Sequence, residues 1–136
     1  MKDPELKAGE MALRAGNLEL AIENFLAGLP TASSRRSESA ALNNLCAAYG
    51  SLGQFEAALH YCERALLLRP NNWRAHQNRA RSLIGIGELD AAIESANRGL
   101  EIAPNAAPLH EILALAQSFK RKPRVIIDTF DVNTQD

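Results

Sequence analysis

Side chains that could perform acid–base or metal chemistry are few in this 136-residue sequence, and they are not clustered. The histidines, His60, His76 and His110, are widely separated in sequence. A metal site needs His, Cys, Asp or Glu ligands at close spacing on one helical face or across a short loop, and no set of these residues has that spacing. No glycine-rich phosphate loop or nucleophile motif is present. The sequence therefore predicts no enzyme, no metal site and no cofactor.

The two cysteines, Cys46 and Cys62, are equally distant from Gln54 in sequence, one before it and one after it. If Gln54 lies in the turn of a helical hairpin, the antiparallel helices bring both cysteines to the same level and within contact distance. The pair is then either two small apolar core residues in a reducing cytosol or, in an exported protein, a disulfide. A thiol-redox enzyme is disfavoured because the pair lacks the close spacing of reactive thiols. The sequence leaves both states of the pair open.

The elements that position these residues follow from internal repetition. A shift of about 34 residues superimposes Asn44 on Asn78, Gly53 on Gly87, Ala58 on Ala92, Pro70 on Pro104 and His76 on His110. A slightly longer shift, of about 37 residues, superimposes Gly16 on Gly53 and Ala21 on Ala58. Repeats of about 34 residues with helical periodicity indicate paired helices that stack on their neighbours. We expect helices at about 4–15, 18–28, 38–51, 55–68, 73–85, 89–102 and 107–119.

Several positions predict how these helices begin and end. Asp3, Asn72 and Asn105 can cap helix starts, and Gly16, Gly53 and Gly87 can end first helices in a left-handed conformation. The segment Pro30 to Ser39 reads as a polar connector, with a phosphorylation site as its less favoured alternative.

The repeated unit carries a recognisable pattern. The second copy reads Leu42-x2-Leu45-Cys46-x2-Tyr49, then Ala58-x3-Cys62 and Pro70, and the third reads His76-x2-Arg79-Ala80-x2-Leu83, then Ala92-x3-Ala96 and Pro104. The first copy keeps Gly9, Ala12, Ala21 and Phe25. This resembles the tetratricopeptide repeat family, whose pattern is Trp-x2-Leu-Gly-x2-Tyr, Ala-x3-Phe and Pro. The resemblance implies an all-α, right-handed superhelix of stacked antiparallel helix pairs.

The resemblance divides the chain into three repeats and two C-terminal parts. We expect one domain over 1–119, with repeats at about 2–38, 39–72 and 73–106 and a capping helix at about 107–119. A basic and apolar tail follows over 120–136. Its residues 124–130 favour extended backbone, and their apolar side chains need to pack against this protein or a partner. The basic residues at its start are read as a solvated helix end in preference to a nucleic-acid patch.

In this family the first helix of each repeat lines a concave groove, which implies the site residues. They are Lys7, Arg14, Asn43, Asn44, Arg74, Gln77, Asn78 and Arg81. Asparagine and glutamine can grip the backbone of an extended peptide, whereas arginine favours carboxylates. We expect Asn44, Arg74, Asn78 and Arg81 to form the centre, to point into solvent in the free protein, and to have room for a ligand beside Ala47.

The branch of the family that binds heat-shock chaperones uses a carboxylate clamp, which this sequence matches only in part. Asn44 falls in the place of the clamp asparagine, and Arg74 can replace its lysine. Asn78 stands where the clamp has arginine, and Leu6 and Glu10 stand where it has lysine and asparagine, although Lys7 is adjacent to the first of these places. The departures argue against a chaperone tail as ligand and leave another C-terminal carboxylate open.

Two functions follow from these observations. The leading one is a protein-binding adaptor or assembly module that holds an extended acidic peptide in its groove. The alternative is a structural scaffold that self-associates through its repeat ends or its tail. A net charge of -1 gives no general attraction to nucleic acid, and no apolar run is long enough to insert into a membrane. We expect a cytoplasmic protein unless an export signal was removed.

Overall fold

The computed structural model describes the backbone of residues 2–135 and the side chains of residues 2–121. Within this range the chain is all-helical. The helices are α1 (Pro4–Arg14), α2 (Leu18–Gly28), α3 (Arg35–Ser51), α4 (Phe55–Leu68), α5 (Trp73–Gly85), α6 (Leu89–Ile102) and α7 (Ala107–Gln135), with a 3-10 turn at Leu29–Thr31. The all-α class is confirmed, and each of the seven helices predicted from the sequence is present, although α3 begins earlier and α7 ends later than predicted.

The helices form three antiparallel pairs that stack in chain order. α1 pairs with α2, α3 with α4 and α5 with α6, and α7 packs against α6 and α5. The first helices α1, α3, α5 and α7 contact one another in succession and so form one continuous layer. The groove residues predicted from the sequence lie on the helices of this layer.

Three glycines end the first helices as the sequence predicts. Gly16, Gly53 and Gly87 have φ values of 80°, 78° and 83°, a left-handed conformation that residues with a Cβ rarely adopt. In each turn the next residue donates its backbone N–H to a carbonyl near the end of the helix, for example from Gln54 to Tyr49 at 2.9 Å. These bonds satisfy carbonyls that the helix end would otherwise leave without a donor.

Small residues allow the paired helices to approach closely. Ala21, Ala58 and Ala92 are equivalent positions in the three repeats, and each is fully buried. At Gly9 an added Cβ would lie 2.7 Å from the ring of Phe25, which is itself fully buried. The repeated alanines therefore set the spacing of the helix pairs.

Asp3 and Asn72 stand at the N-cap positions of α1 and α5, as predicted, but the expected capping hydrogen bonds are not made. The third predicted cap is wrong, because α7 begins beyond Asn105, with the carbonyl of Ala106 accepting its first backbone bonds. The carboxylate of Asp3 instead accepts hydrogen bonds from the backbone N–H and the hydroxyl of Ser33, at 2.8 and 2.5 Å. Asp3, a polar residue directly before a helix, therefore forms a tertiary contact with Ser33.

Two predicted segment boundaries also change. α3 begins at Arg35, so the second half of the predicted connector is helical, and Ser34 caps this helix by accepting from the backbone N–H of Ser37 at 3.0 Å. α7 continues to Gln135, so the prediction of extended backbone over 124–130 is wrong. The expectation that this segment packs against a covering surface concerns side chains that lie outside the described ones. No helix among the described residues is long and apolar enough to cross a membrane.

Candidate functional site

The predicted groove residues lie on three successive first helices but differ in exposure. Lys7, Arg14, Arg74 and Arg81 are exposed, and Asn44, Ala47 and Gln77 are partly buried. Asn43 and Asn78 are each only 9% exposed. The expectation that Asn78 points into solvent is therefore wrong.

A chain of side-chain hydrogen bonds crosses from α3 to α5. Asn78 donates its Nδ2 to Oδ1 of Asn43 at 2.9 Å, and Arg81 donates Nη1 to Oδ1 of Asn78 at 3.5 Å. Because an asparagine amide has one acceptor oxygen and one donor nitrogen, both ends of Asn78 are used inside the protein. Asn78 joins the two helices and makes a long, weak contact with the exposed guanidinium of Arg81.

Arg74 is held in place by its neighbour in sequence. Its guanidinium carbon lies 4.4 Å from the ring centroid of Trp73, a cation–π contact that restricts the side chain at the start of α5. Arg74 and Arg81 lie two turns apart on the same helix and therefore on the same side of it.

The N-terminal part of the groove contains a pocket of about 190 Å³ between α1 and α3. Lys7 and Arg36 stand at its rim, and Leu6 and Phe25 form its floor. Leu6 is only 5% exposed and belongs to the hydrophobic core, so the place of the clamp lysine is apolar.

Cys46 and Cys62 form a disulfide that joins α3 to α4. Their Cα atoms are 5.2 Å apart, and both residues are buried beneath the stacked rings of Tyr49 and Tyr61. Burial, with a smaller contribution from Tyr61, raises the pKa of the Tyr49 hydroxyl. The disulfide is an internal link of the second helix pair.

The histidines at equivalent positions have structural partners. His76 and His110 place Nε2 3.0 and 2.7 Å from the carbonyl oxygens of Pro70 and Pro104, the same contact in two successive repeats. Their separation in sequence therefore reflects the repeat. Among the residues described by the structure, no three His, Cys, Asp or Glu side chains form a group that could hold a metal ion.

A larger cleft, of about 710 Å³, opens between α4 and α6 and shares no lining residue with the predicted groove. Arg79 and His76 reach it from α5, and Leu66 and Ile102 line it. Sequence reasoning missed this cleft. The signal that could have found it is Arg79, which stands where the repeat pattern has leucine.

Comparison with known proteins agrees with this architecture. Models of the tetratricopeptide repeat match residues 39–72 and 74–106. The chain belongs to the tetratricopeptide repeat family. The two matched stretches are the helix pairs α3/α4 and α5/α6 and coincide with the second and third repeats predicted from the sequence.

Solved tetratricopeptide repeat domains share the fold at low sequence identity. The second such domain of human RPAP3, in complex with an HSP70 peptide, is 22% identical, with 83% of this chain and 92% of that chain covered and a TM-score of 0.76. The first domain of Spaghetti (RPAP3), bound to an HSP90 peptide, is 22% identical, with coverage of 84% and 90% and a TM-score of 0.77. The co-chaperone Cns1 from Saccharomyces cerevisiae is 16% identical, with coverage of 96% and 43% and a TM-score of 0.87.

Proposed function

We propose that this tetratricopeptide repeat protein is an interaction module that binds an extended, acidic peptide segment in the groove formed by α1, α3 and α5. The observation that carries the proposal is a series of exposed cations along the groove. Lys7 and Arg14 lie on α1, and Arg74 and Arg81 lie on α5. Arginine pairs with carboxylates through two parallel hydrogen bonds, so these positions suit an acidic ligand.

Preorganisation of the two α5 arginines supports the same proposal. Trp73 restricts Arg74 through a cation–π contact, and Asn78 adds a weaker polar contact to Arg81. Side chains that are already held lose less conformational entropy on binding, which improves affinity without any new contact. Asn44, partly buried on α3, keeps the role of a hydrogen-bond partner for the ligand backbone.

Two of the structurally similar domains hold acidic peptides, SGPTIEEVD in human RPAP3 and SRMEEVD in Spaghetti. The likeness supports an extended acidic ligand for this chain. It does not extend to the clamp, because Leu6 is buried in the core and Asn78 is bonded to Asn43. We therefore propose an acidic segment without assigning it to a chaperone tail.

A peptide array tests the proposal. Nonamers of varied charge would be probed with the whole chain, and the best binder would be labelled for fluorescence anisotropy. We expect acidic nonamers to dominate and their affinity to fall as salt rises. Arg74→Ala combined with Arg81→Ala should weaken binding at least tenfold and flatten the salt dependence.

The matched control removes two exposed arginines elsewhere, Arg35 and Arg121, and has the same net charge as the groove variant. We expect it to bind like the wild type. If the groove variant binds as tightly as this control, with the same salt dependence, the proposed groove site is wrong.

A second candidate function is the self-associating scaffold. It is favoured by Leu115 and Phe119, one turn apart on α7, which remain 43% and 42% exposed. Light scattering over a dilution series would detect a dimer or larger species, and Leu115→Glu with Phe119→Glu should dissociate it. A monomer at every concentration would exclude this function.

A further inference from the structure

Arg79 occupies a place that leucine fills in the neighbouring repeats. A shift by one repeat, about 34 residues, superimposes it on Leu45 in one direction and on Leu113 in the other. Leu45 is completely buried in the core with Phe25, and Leu113 packs against the cluster around Ile112. The third repeat therefore has a cation at a position that its neighbours use for apolar packing.

The guanidinium of Arg79 is anchored but keeps donors free for a ligand. Nη1 donates to the hydroxyl of Ser95, a fully buried residue of α6, which fixes the direction of the side chain. Nη2 lies 3.9 Å from a carboxylate oxygen of Glu63, whose side chain is 59% exposed. An exposed ion pair at that distance is weak, so another carboxylate can replace Glu63.

Apolar surface adjoins this fixed charge. The 710 Å³ cleft into which Arg79 reaches is lined by Leu66 near the end of α4, by Pro70 just after that helix, and by Ile102 at the end of α6. Leu67 stands at the same cleft and is 83% exposed. A ligand that meets these residues and Arg79 together needs apolar side chains next to a negative charge.

The acidic residues of the cleft limit how much negative charge a ligand can carry. Glu63, Glu94 and Glu101 all line it, while Arg98 is already paired with Glu94 at 3.3 Å. A polyanion such as nucleic acid would be repelled by these carboxylates. A single carboxylate that displaces Glu63 from Arg79 adds only one negative charge to the cleft and pairs that charge directly with the guanidinium.

We propose that the cleft between α4 and α6 is a second docking site, separate from the groove, for a short apolar protein segment that carries one carboxylate. The carboxylate pairs with Arg79, and the flanking apolar side chains cover Leu66, Leu67 and Ile102. The site does not depend on the groove arginines, which lie on the opposite face of α5.

Selection of phage-displayed random peptides on the whole chain, with counter-selection on Arg79→Leu, tests this site. Because leucine is the residue of the neighbouring repeats at this position, the variant should fold and unfold at an equal or higher temperature. We expect enriched peptides to contain one Asp or Glu beside Leu, Ile, Val or Phe. By anisotropy, a synthetic peptide of this kind should bind the wild type at least tenfold more tightly than Arg79→Leu.

Three comparisons make the result decisive. Changing the peptide acid to its amide should weaken binding to the wild type and have no further effect on Arg79→Leu. Leu67→Glu, at a solvent-exposed position, should also weaken binding, and it replaces Arg79→Leu if that variant does not fold. Arg74→Ala with Arg81→Ala should leave binding unchanged. Absence of acid-bearing apolar peptides, equal binding by Arg79→Leu, or loss of binding in the groove variant would each overturn the proposal.

Discussion

At the residue scale, the hydrogen bond between Asn43 and Asn78 gives Asn78 a structural role that Asn44 does not share. Asn78 is equivalent to Asn44 in the repeat, yet the two side chains have different surroundings. Asn78 is buried and joins α3 to α5 through its bond to Asn43, whereas Asn44 is only partly buried. The repeat pattern predicts where both residues lie but not this difference, because the bond joins residues 35 positions apart and depends on how the pairs stack.

The bond predicts a stability effect at Asn78 that a solvent-exposed groove residue would not show. Asn78→Ala leaves Oδ1 of the buried Asn43 without its donor, which should lower the free energy of unfolding by about 1–3 kcal/mol. Asn44→Ala, the matched change in the preceding repeat, should alter it by less than about 0.5 kcal/mol. Urea unfolding measures both, and equal effects would contradict the assigned roles.

Asp3 provides a pH-dependent link between the start of α1 and the segment before α3. The hydrogen bond from the Ser33 hydroxyl, assisted by the Ser33 backbone N–H, lowers the pKa of the Asp3 carboxyl below 3.8. A lowered folded-state pKa means that the link stabilises the protein above the unfolded-state pKa and is lost as the pH falls through the folded-state value. An NMR titration of Asp3 should therefore give a pKa below 3.8.

Ser33→Ala is the control for this titration. It removes the hydroxyl that makes the main contribution and should raise the pKa of Asp3 towards 3.8. An unchanged titration midpoint in this variant would show that Ser33 does not cause the shift.

At the element scale, the sequence predicts the helices well because their signals are local and periodic. The glycines at the three tight turns and the repeated alanines identify each pair and its bounds. Helix starts are less predictable, since Asp3 has a tertiary partner in Ser33 and Asn72 makes no side-chain cap. Local composition cannot tell a cap from a tertiary contact.

The disulfide between Cys46 and Cys62 should stabilise the second helix pair. It closes a loop with a sequence separation of 16, for which chain entropy predicts about 3 kcal/mol of stabilisation. Reduction should lower the free energy of unfolding by that amount and leave the protein helical. Sγ of Cys62 lies 3.4 Å from the carbonyl oxygen of Ala75, so the thiol produced by reduction has a hydrogen-bond acceptor close by.

Urea unfolding with and without reductant measures this contribution. Cys46→Ala with Cys62→Ala should unfold alike in both conditions, which isolates the effect of the bond from that of the reagent. If mass spectrometry shows two reduced thiols and the unfolding midpoint does not move, the disulfide does not stabilise the pair.

At the scale of the whole molecule, each helix pair is stabilised by its packing against the neighbouring helices. Leu109 of α7 is fully buried, and an added Cβ at Gly99 of α6 would lie 2.7 Å from it. Leu109→Ala should cost about 2–5 kcal/mol because it opens a cavity at this contact. In a stacked array each repeat contacts only its neighbours, so amide exchange should rise in α6 and α7 much more than in α1 and α2.

Hydrogen-exchange mass spectrometry of Leu109→Ala tests this localisation. Leu67→Ala is the control, because Leu67 is 83% exposed and its truncation should leave exchange unchanged. A uniform rise over the whole chain in Leu109→Ala would show that the pairs unfold as one cooperative unit.

Under a stretching force, the same disulfide would limit how far the protein can lengthen. The 16 residue steps from Cys46 to Cys62 correspond to about 55 Å of fully extended backbone. The disulfide prevents this loop from extending, because it keeps the two Cα atoms 5.2 Å apart. The chain contains only these two cysteines, so no similar bond crosses the boundaries between repeats. We therefore expect tension to part the groove along those boundaries while the middle hairpin stays closed, so that mechanical load would release a partner held across them.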